Sequence, residues 1–397
     1  MPDSRSPHYI ETPDALAALC DRLSTASRIA VDTEFIGEDT FVPRLELIQV
    51  STGDHHAVLD FPALQGAPPL QRFWELLAST DIEKVVHAGR QDLEIFAAHT
   101  GGIPRPFFDT QIAAAMVGHG AQIAYANLVQ RVHGTRLAKS HTFTNWSQRP
   151  LSPDQVAYAL EDVQYLLGIH DHLLERLSQL GRLEWAAEEF RRLEHAVVEK
   201  ERGTQERYQR IRGWENLKPR QAAVLRALST WRETEARRRN VPRGRIMRDE
   251  VLLQMARQHP TSSSDLRGMR GLHPGEIDRN GETLVAIIRE ALALPRSEWP
   301  DIPTERRSEP ESAGQLDLLQ AVLKARATEV GIAPTLLATT SDLQKLMEGP
   351  SSGDTVIPVL DGWRRTLVGD LLVSVLQGRV TVGFDPISNR LVWTASS

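Results

Sequence analysis

The sequence predicts an α/β domain with a mixed sheet, followed by two small all-α domains. Three observations predict it. Apolar, β-branched runs alternate with amphipathic segments as far as about Leu193, and helical periodicity dominates from Val197 onward. A stretch rich in Pro, Glu, Ser and Arg then separates two similar helical segments.

RIAVDTEF (Arg28–Phe35) is the first strand, and LELIQVST and HAVLDF follow it as further strands. FWELLA and QDLEIFAAH read as helices, with VVHA (Val85–Ala88) a buried strand between them. From Asp154 to Leu180 an apolar stripe of Val156, Leu160, Val163, Leu167 and Leu174 predicts one long helix. A meander of strands followed by strands alternating with helices gives a mixed sheet. Beyond Val197, RQAAVLRALSTWRETEARRR and DEVLLQMARQ are amphipathic, PTSSSDLRGMRGL carries a Ser/Asp helix start, and NGETLVAIIREALAL closes the unit. Pro295 to Gly314 lacks apolar periodicity and reads as a linker. After it, GIAPTLLATTSDLQKLM from Gly331 matches NVPRGRIMRDEVLLQMA from Asn240 at a constant offset, and LVGDLLVSVLQG resembles LVAIIREAL. The expectation is one helical module in two copies, the second more diverged and poorer in basic residues. The domains expected are 1–196, 210–295 and 315–397, with 296–314 as linker.

The 397 residues, 41% apolar and 25% charged, are long enough for two or three domains. The single cysteine, Cys20, excludes an internal disulfide framework and a cysteine-based zinc site, and fits a reducing compartment. MPDSRSPHYIETPDALAALC has no basic stretch leading into an apolar core, and no apolar run approaches a membrane span. A cytoplasmic protein without membrane contact is therefore expected. The net charge of −6 is unevenly divided. Val197–Arg296 holds 21 Lys/Arg against 13 Asp/Glu, a balance of +8, which leaves −14 for the remainder. An acidic part beside a basic part suits a protein that holds metal in one place and polyanion in another.

Asp32 and Glu34 stand at i and i+2 on the apolar strand RIAVDTEF, so both carboxylates point to one face. Two crowded carboxylates repel unless a cation lies between them, and hard oxygen ligands favour Mg²⁺ or Mn²⁺. The same spacing recurs at Asp81/Glu83 and Asp92/Glu94, so context, a core strand capped by the pair, singles out Asp32. In VVHAGRQDLEIF a buried strand runs through Gly89 into a helix with Asp92 in its first turn, where a carboxylate also simply favours the helix dipole. In VAYALEDVQYLL, Tyr158 and Asp162 share a helix face off the apolar stripe, a phenol beside a carboxylate that can orient a water.

In this order, Asp-x-Glu on a first strand, Asp at a strand–helix junction and Tyr-x-x-x-Asp on a late helix resemble the three exonuclease motifs of the DEDD superfamily. Ala157 stands where a histidine would mark the other branch, so the pattern is similar to the DEDDy subclass. LAKSHTFTNWSQRPLSPDQVAYALEDVQYL, with Lys139–Ser140, Trp146 and Arg149-Pro150-Leu151, resembles the ribonuclease D family in particular. Trp214 to Leu294 resembles the helicase-and-RNase-D C-terminal (HRDC) domain, of which that family typically carries a second, degenerate copy. The resemblance implies a ribonuclease H-like exonuclease domain followed by two HRDC-type domains. It also implies a monomeric 3′→5′ exoribonuclease that trims RNA, tRNA precursors and other structured RNA with free 3′ ends, to 5′-mononucleotides. Asp32, Glu34, Asp92 and Asp162 would hold two divalent ions, Mg²⁺ or Mn²⁺, ~3.5–4 Å apart. Asp32 would bridge them, and Tyr158 would position or help deprotonate the attacking water. Phe35 and His87 would touch the terminal nucleotides, an aromatic ring offering a base a stacking surface; the alternatives are that Phe35 is a core residue and His87 a hydrogen-bonded structural histidine.

A 3′→5′ exodeoxyribonuclease would use the same chemistry and differ in its contacts to the 2′-OH. The absence of a P-loop or polymerase segment and the tandem helical modules favour RNA. A catalytically inactive RNA-binding scaffold is disfavoured because all five chemical positions are filled. A dinucleotide-binding dehydrogenase is excluded because HAGRQD lacks the spaced glycines a pyrophosphate needs. Arg237, Arg238, Arg239, Arg243, Arg245 and Arg248 fall within a dozen residues. They either meet RNA phosphates, Arg243 and Arg245 foremost, or pair with Glu233, Glu235, Asp249 and Glu250.

Overall fold

The structure, a computed structural model, describes residues 8–137, 144–202, 205–302, 310–349 and 357–396. Lys139–Ser140, part of the sequence landmark, lies outside the described residues, as do 303–309 of the expected linker. The chain divides into two compact units, one of Met1–Glu34, Leu47–His195 and Arg307–Ser397, the other of Phe35–Glu46 and Ala196–Arg306.

In the first unit, β1 (Tyr9–Ile10), β2 (Arg28–Ile36), β3 (Arg44–Ser51), β4 (His56–Asp60), β5 (Glu83–Val86) and β6 (Phe107–Asp109) form one sheet in the order β1-β4-β3-β2-β5-β6. β3 and β4 pair antiparallel, with Ile48 opposite Leu59. β2 with β5 and β5 with β6 pair parallel, with Ala30 opposite Val85 and Val86 opposite Asp109. The sheet is therefore mixed, as the order of strands and helices in the sequence requires. Its helices are α1 (Pro13–Leu23), α2 (Phe61–Leu64), α3 (Pro68–Ala78), α4 (Arg90–Thr100), α5 (Thr110–Met116), α6 (Tyr125–His133), α7 (Pro153–Gln164), α8 (Leu166–Gln179) and α9 (Leu183–Arg202). Val163, Leu166 and Leu167 pack on Ala30 and Val85, which brings the junction of α7 and α8 against the centre of the sheet.

The long helix expected from Asp154 to Leu180 is two helices, and the structure gives the reason. Tyr125 of α6 donates its hydroxyl proton to the Glu161 carbonyl at 2.9 Å and accepts the Tyr165 N–H at 3.3 Å. The phenol oxygen thus occupies the place of the i→i−4 bond between residues 165 and 161, and the helix breaks there. VVHA also ends as a strand at Val86, two residues before the expected boundary.

The second unit contains α10 (Pro219–Arg239), α11 (Arg243–Ile246), α12 (Asp249–Gln258), α13 (Ser263–Arg267) and α14 (Pro274–Ala293). Leu225, Leu228, Leu252, Met255, Leu266, Leu284 and Ile288 form its core, with Phe41 packed against them.

After it come α15 (Pro310–Val330), α16 (Pro334–Leu337), α17 (Thr340–Glu348), α18 (Gly362–Arg364) and α19 (Asp370–Leu376). Pro219 to Pro310, Arg243 to Pro334 and Asp249 to Thr340 are the same 91 residues apart, so three consecutive helices recur at one spacing. The last residues of the expected linker are already helical from Pro310. These helices share a core with α5, α8 and α9, in which Leu319, Val322 and Trp363 join Ala114, Ile169 and Leu173. Trp363 stacks on Trp185 at 5.2 Å, and Arg364 forms a bidentate pair with Glu189. A hairpin, β7 (Val380–Asp385) with β8 (Arg390–Ala395), ends the chain where only helix was expected. The Asp385 side chain accepts the N–H groups of Ile387 and Ser388 and so makes the turn. No helix among the described residues is long and apolar enough to cross a membrane.

Candidate active site

On β2 the buried residues Val31 and Thr33 alternate with the partly buried Asp32 and Glu34, so the strand's period of two presents both carboxylates on one face. α7 begins with a capping box, in which the Ser152 side chain accepts from Gln155 N–H while the Gln155 side chain accepts from Ser152 N–H. Its last turn delivers Asp162, where the inserted Tyr125 hydroxyl fixes the backbone on either side. One carboxylate oxygen each from Asp32, Glu34 and Asp162 lie within 4.8 Å of one another.

Asp92 comes from the neighbouring strand: β5 runs parallel to β2, so the junction of β5 with α4 lies at the same edge of the sheet as the carboxylates of β2. Gly89, which leads into α4, lies so close to Val86 that a Cβ there would stand 2.5 Å from Val86 Cγ2, so only glycine fits. Ala88 has φ of 54°, and the carboxylate of Asp109 holds the tight passage by accepting the N–H groups of Ala88 at 3.2 Å and Gly89 at 3.0 Å. The same carboxylate caps α5 through the N–H groups of Gln111 and Ile112. Asp92 in the first turn of α4 is buried and accepts the hydroxyl proton of Thr33, the residue between the two β2 carboxylates. It stands outside the closest carboxylate triangle, yet its charge acts on both Asp32 and Glu34.

The electrostatics follow from crowding and burial. Burial, then the charges of Asp92, Asp162 and Glu34, raise Asp32 well above the usual carboxylate range. Burial, then Asp162 and Asp92, push Glu34 up to about 8. Burial and Glu161 push Asp162 to about 7, while Asp92 rises by burial to about 6 against the opposing hydrogen bond from Thr33. A crowded, partly buried set of oxygen donors that repels itself is the chemistry a hard divalent cation relieves, so these residues fit such an ion. Tyr158 belongs to the same electrostatic group. Burial and then Asp162, Glu34 and Asp32 push its phenol up to about 12.

Tyr158 is placed by the landmark segment before α7. Its ring stacks on the buried Trp146, with centroids 6.2 Å apart. Arg149 donates to the Trp146 carbonyl at 2.5 Å and clamps Asp60 of β4 with two bonds of 2.6 and 2.9 Å. This ties the Trp and Arg-Pro-Leu landmarks of the sequence to the orientation of Tyr158.

The expected nucleotide contacts are placed differently. His87 engages Thr110 Oγ1 at 2.9 Å and the Ile123 carbonyl at 3.0 Å, so both ring nitrogens serve the fold, and burial lowers its basicity. Its ring lies against Tyr125, which makes it a support of the α7–α8 break rather than a free donor. Phe35 is partly buried and follows Glu34, so strand alternation directs it to the face opposite the carboxylates. In the second unit Arg243 forms a bidentate pair with the buried Glu233 and lies over the Phe41 ring at 4.4 Å, while Arg245 pairs with Asp39. Thr33, Asp109 and Tyr125 were not found by sequence reading. Thr33 had a signal, its position between two candidate carboxylates, whereas Asp109 and Tyr125 act through contacts 20 or more residues away.

Residues 7–178 match the 3′-5′ exonuclease family model and residues 221–288 the HRDC domain model. A ribonuclease D from Granulibacter bethesdensis is 38% identical, over 98% of this chain and 97% of its own. Another from Zymomonas mobilis is 39% identical, over 94% and 95%. The crystal structure of Escherichia coli RNase D, an exoribonuclease involved in structured RNA processing, superposes with a TM-score of 0.79 at 31% identity, covering 93% of this chain and 98% of that one.

Proposed function

The chain belongs to the ribonuclease D family and is a 3′→5′ exoribonuclease, and from that premise we propose that it trims structured RNA, tRNA precursors foremost, with two divalent ions, Mg²⁺ or Mn²⁺, held by Asp32, Glu34, Asp92 and Asp162. The observation that carries the site assignment is the convergence of Asp32, Glu34 and Asp162 within 4.8 Å, with the charge of Asp92 acting on the first two. When bound, such ions supply positive charge to the scissile phosphate and acidify the attacking water.

The chain's own residues do the rest. Asp32 lies under the charge of all three other carboxylates and is the natural shared ligand. The Tyr158 hydroxyl orients the attacking water, its ring held by Trp146 and, through Arg149, by β4. Tyr125 and Asp109 hold the backbone on which Asp162 and Asp92 are mounted, so the carboxylates keep their spacing when their charges change.

The proposal includes 315–397 as a degenerate second copy of the module at 210–295, supported by the 91-residue recurrence of three helices. It includes a monomer acting in the cytoplasm. The lone thiol of Cys20, buried and pushed up to about 11 by burial, suits a reducing compartment. Digestion of end-labelled RNA and DNA oligomers, with Mg²⁺, with Mn²⁺ and with chelator, tests the reading. Stepwise loss of 3′ nucleotides from RNA, dependent on metal, is expected. Cleavage that persists in chelator, or that proceeds equally well on DNA, would overturn the metal or the RNA part respectively.

A further inference from the structure

We infer that the second unit contains a phosphate-binding pocket, in which Arg210, Arg232 and Arg248 take the phosphate group of an RNA backbone or of a 5′-mononucleotide. The pocket is a cavity of about 460 Å³, within the size range of small-ligand sites. Its walls are the 3₁₀ turn Gln205–Arg210, the middle of α10 and the segment joining α11 to α12.

The charge around it is unbalanced. Five arginines (207, 210, 232, 243 and 248) face three carboxylates (Glu233, Asp249 and Glu250), an excess equal to the charge of a phosphate monoester dianion. The pairing is uneven as well. Arg243 takes both oxygens of Glu233, Arg207 stands 3.4 Å from the same carboxylate, and Arg232 donates through Nη1 to Asp249. Arg210 and Arg248 are exposed and have no acidic partner among the described residues.

A second observation points to a ligand. Arg232 is 7% exposed, and its Nε–H is buried with no acceptor. Its bonds to Asp249 and to the Met247 carbonyl are both made through Nη1, so a guanidinium lining the cavity keeps donor capacity beyond its ion pair, and an anion there would take it. Arg207 reports the same excess, since burial and then the like charges of Arg243, Arg210 and Arg237 hold its guanidinium below its ordinary value despite Glu233. A guanidinium cluster of this kind selects phosphate over neutral ligands by charge and by forked donor geometry.

The pocket rests on the proposed function only for the source of its ligand, and the test separates the two. Full-length protein, stripped of metal so that the carboxylate site repels anions, is titrated calorimetrically with inorganic phosphate, 5′-AMP and adenosine. Phosphate and 5′-AMP should bind and adenosine should not. Arg210→Ala/Arg248→Ala, which leaves the buried pairs intact, should weaken phosphate and 5′-AMP by ~10–100-fold. Arg210→Lys/Arg248→Lys should recover part of the loss. Equal affinity for phosphate and 5′-AMP would identify a backbone-phosphate site, and tighter 5′-AMP a mononucleotide site. Absence of saturable phosphate binding to the parent, or unchanged affinity in the alanine variant, would overturn the inference. Because no turnover is read, a chain that binds phosphate here yet cleaves no RNA would refute the functional reading alone.

Discussion

The carboxylate group should make the metal-free protein less stable as pH rises, and Asp162→Asn should remove part of that burden. Asp92, Glu34 and Asp162 hold their protons to about 6, 8 and 7 in the folded chain, above the values near 4 of the unfolded chain. The folded state therefore binds more protons between pH ~4 and ~8, so stability is greatest below that window and is lost as pH climbs through it. For Asp162 the rise from 3.8 to about 7 corresponds to about 4 kcal/mol at 1.36 kcal/mol per unit. A separate route gives the same order: two unit charges 4.8 Å apart in a medium of effective dielectric ~20 repel by roughly 3.5 kcal/mol. Allowing for relaxation, Asp162→Asn should gain ~2–4 kcal/mol in chelator at pH 8.5 and nothing at pH 4. For a domain of this size that raises Tm by ~5–10 °C. Adding Mn²⁺ should stabilise the parent, leave the variant little changed, and restore nuclease activity only to the parent. Thermal denaturation at both pH values checks this. Equal Tm at pH 8.5, or a gain that does not vary with pH, would refute the electrostatic account of the site.

Tyr158→Phe keeps the ring on Trp146 and removes the hydroxyl, so kcat should fall ~10²–10⁴-fold with RNA affinity unchanged, as single-turnover and binding assays would show. Tyr125→Phe leaves the Glu161 carbonyl and Tyr165 N–H without their inserted partner. A loss of about 1–3 kcal/mol in chemical denaturation is expected, together with lower kcat from misplacement of Asp162. Arg243→Ala removes the bidentate partner of buried Glu233, with Arg207 the remaining cation nearby, and should cost roughly 2–4 kcal/mol. Arg245→Ala breaks only an exposed pair with Asp39 and should change stability by no more than about 0.5 kcal/mol by the same measurement.

What was legible in the sequence was whatever local periodicity governs. Asp32 and Glu34 share a face because a strand has period two, and Tyr158 and Asp162 share one because a helix has period near four; neither needs the rest of the fold. The mixed sheet followed from the order of strands and helices. The break at Tyr165 was not legible, since the apolar stripe of α7 and α8 continues through it and its cause is a phenol 40 residues away. Asp109 was equally hidden, because an aspartate before a helix reads as an ordinary cap, and its second oxygen reaches back to the Gly89 junction only in the folded chain. The terminal hairpin was missed for a different reason. The alternation in VTVGF and RLVW is present, but the helical repeat preceding it set the wrong period for the segment.

The basic helical unit shows how charge counted along a chain overstates the charge available to a polyanion. Of the arginines that make Val197–Arg296 positive, Arg238 and Arg239 are held by Glu235, Arg239 also by Glu276, Arg243 by Glu233 and Arg232 by Asp249. Glu233, Glu235 and Glu276 are buried, so these arginines keep the charge of an interior carboxylate tolerable before they can serve any ligand. What remains to attract RNA is the excess beyond those pairs. At the cavity that excess is Arg210 and Arg248, neither of which a count of the Arg237–Arg248 cluster would have ranked above Arg243. A salt-dependence measurement distinguishes the two views. With a slope near −0.7 per phosphate on single strands, Arg210→Ala/Arg248→Ala should flatten the log–log plot by about 1.4, whereas Arg245→Ala should leave it within error of the parent. The reverse ranking would mean that the Asp39 partner is displaced on binding and that the exposed end of α11, rather than the cavity, meets the RNA.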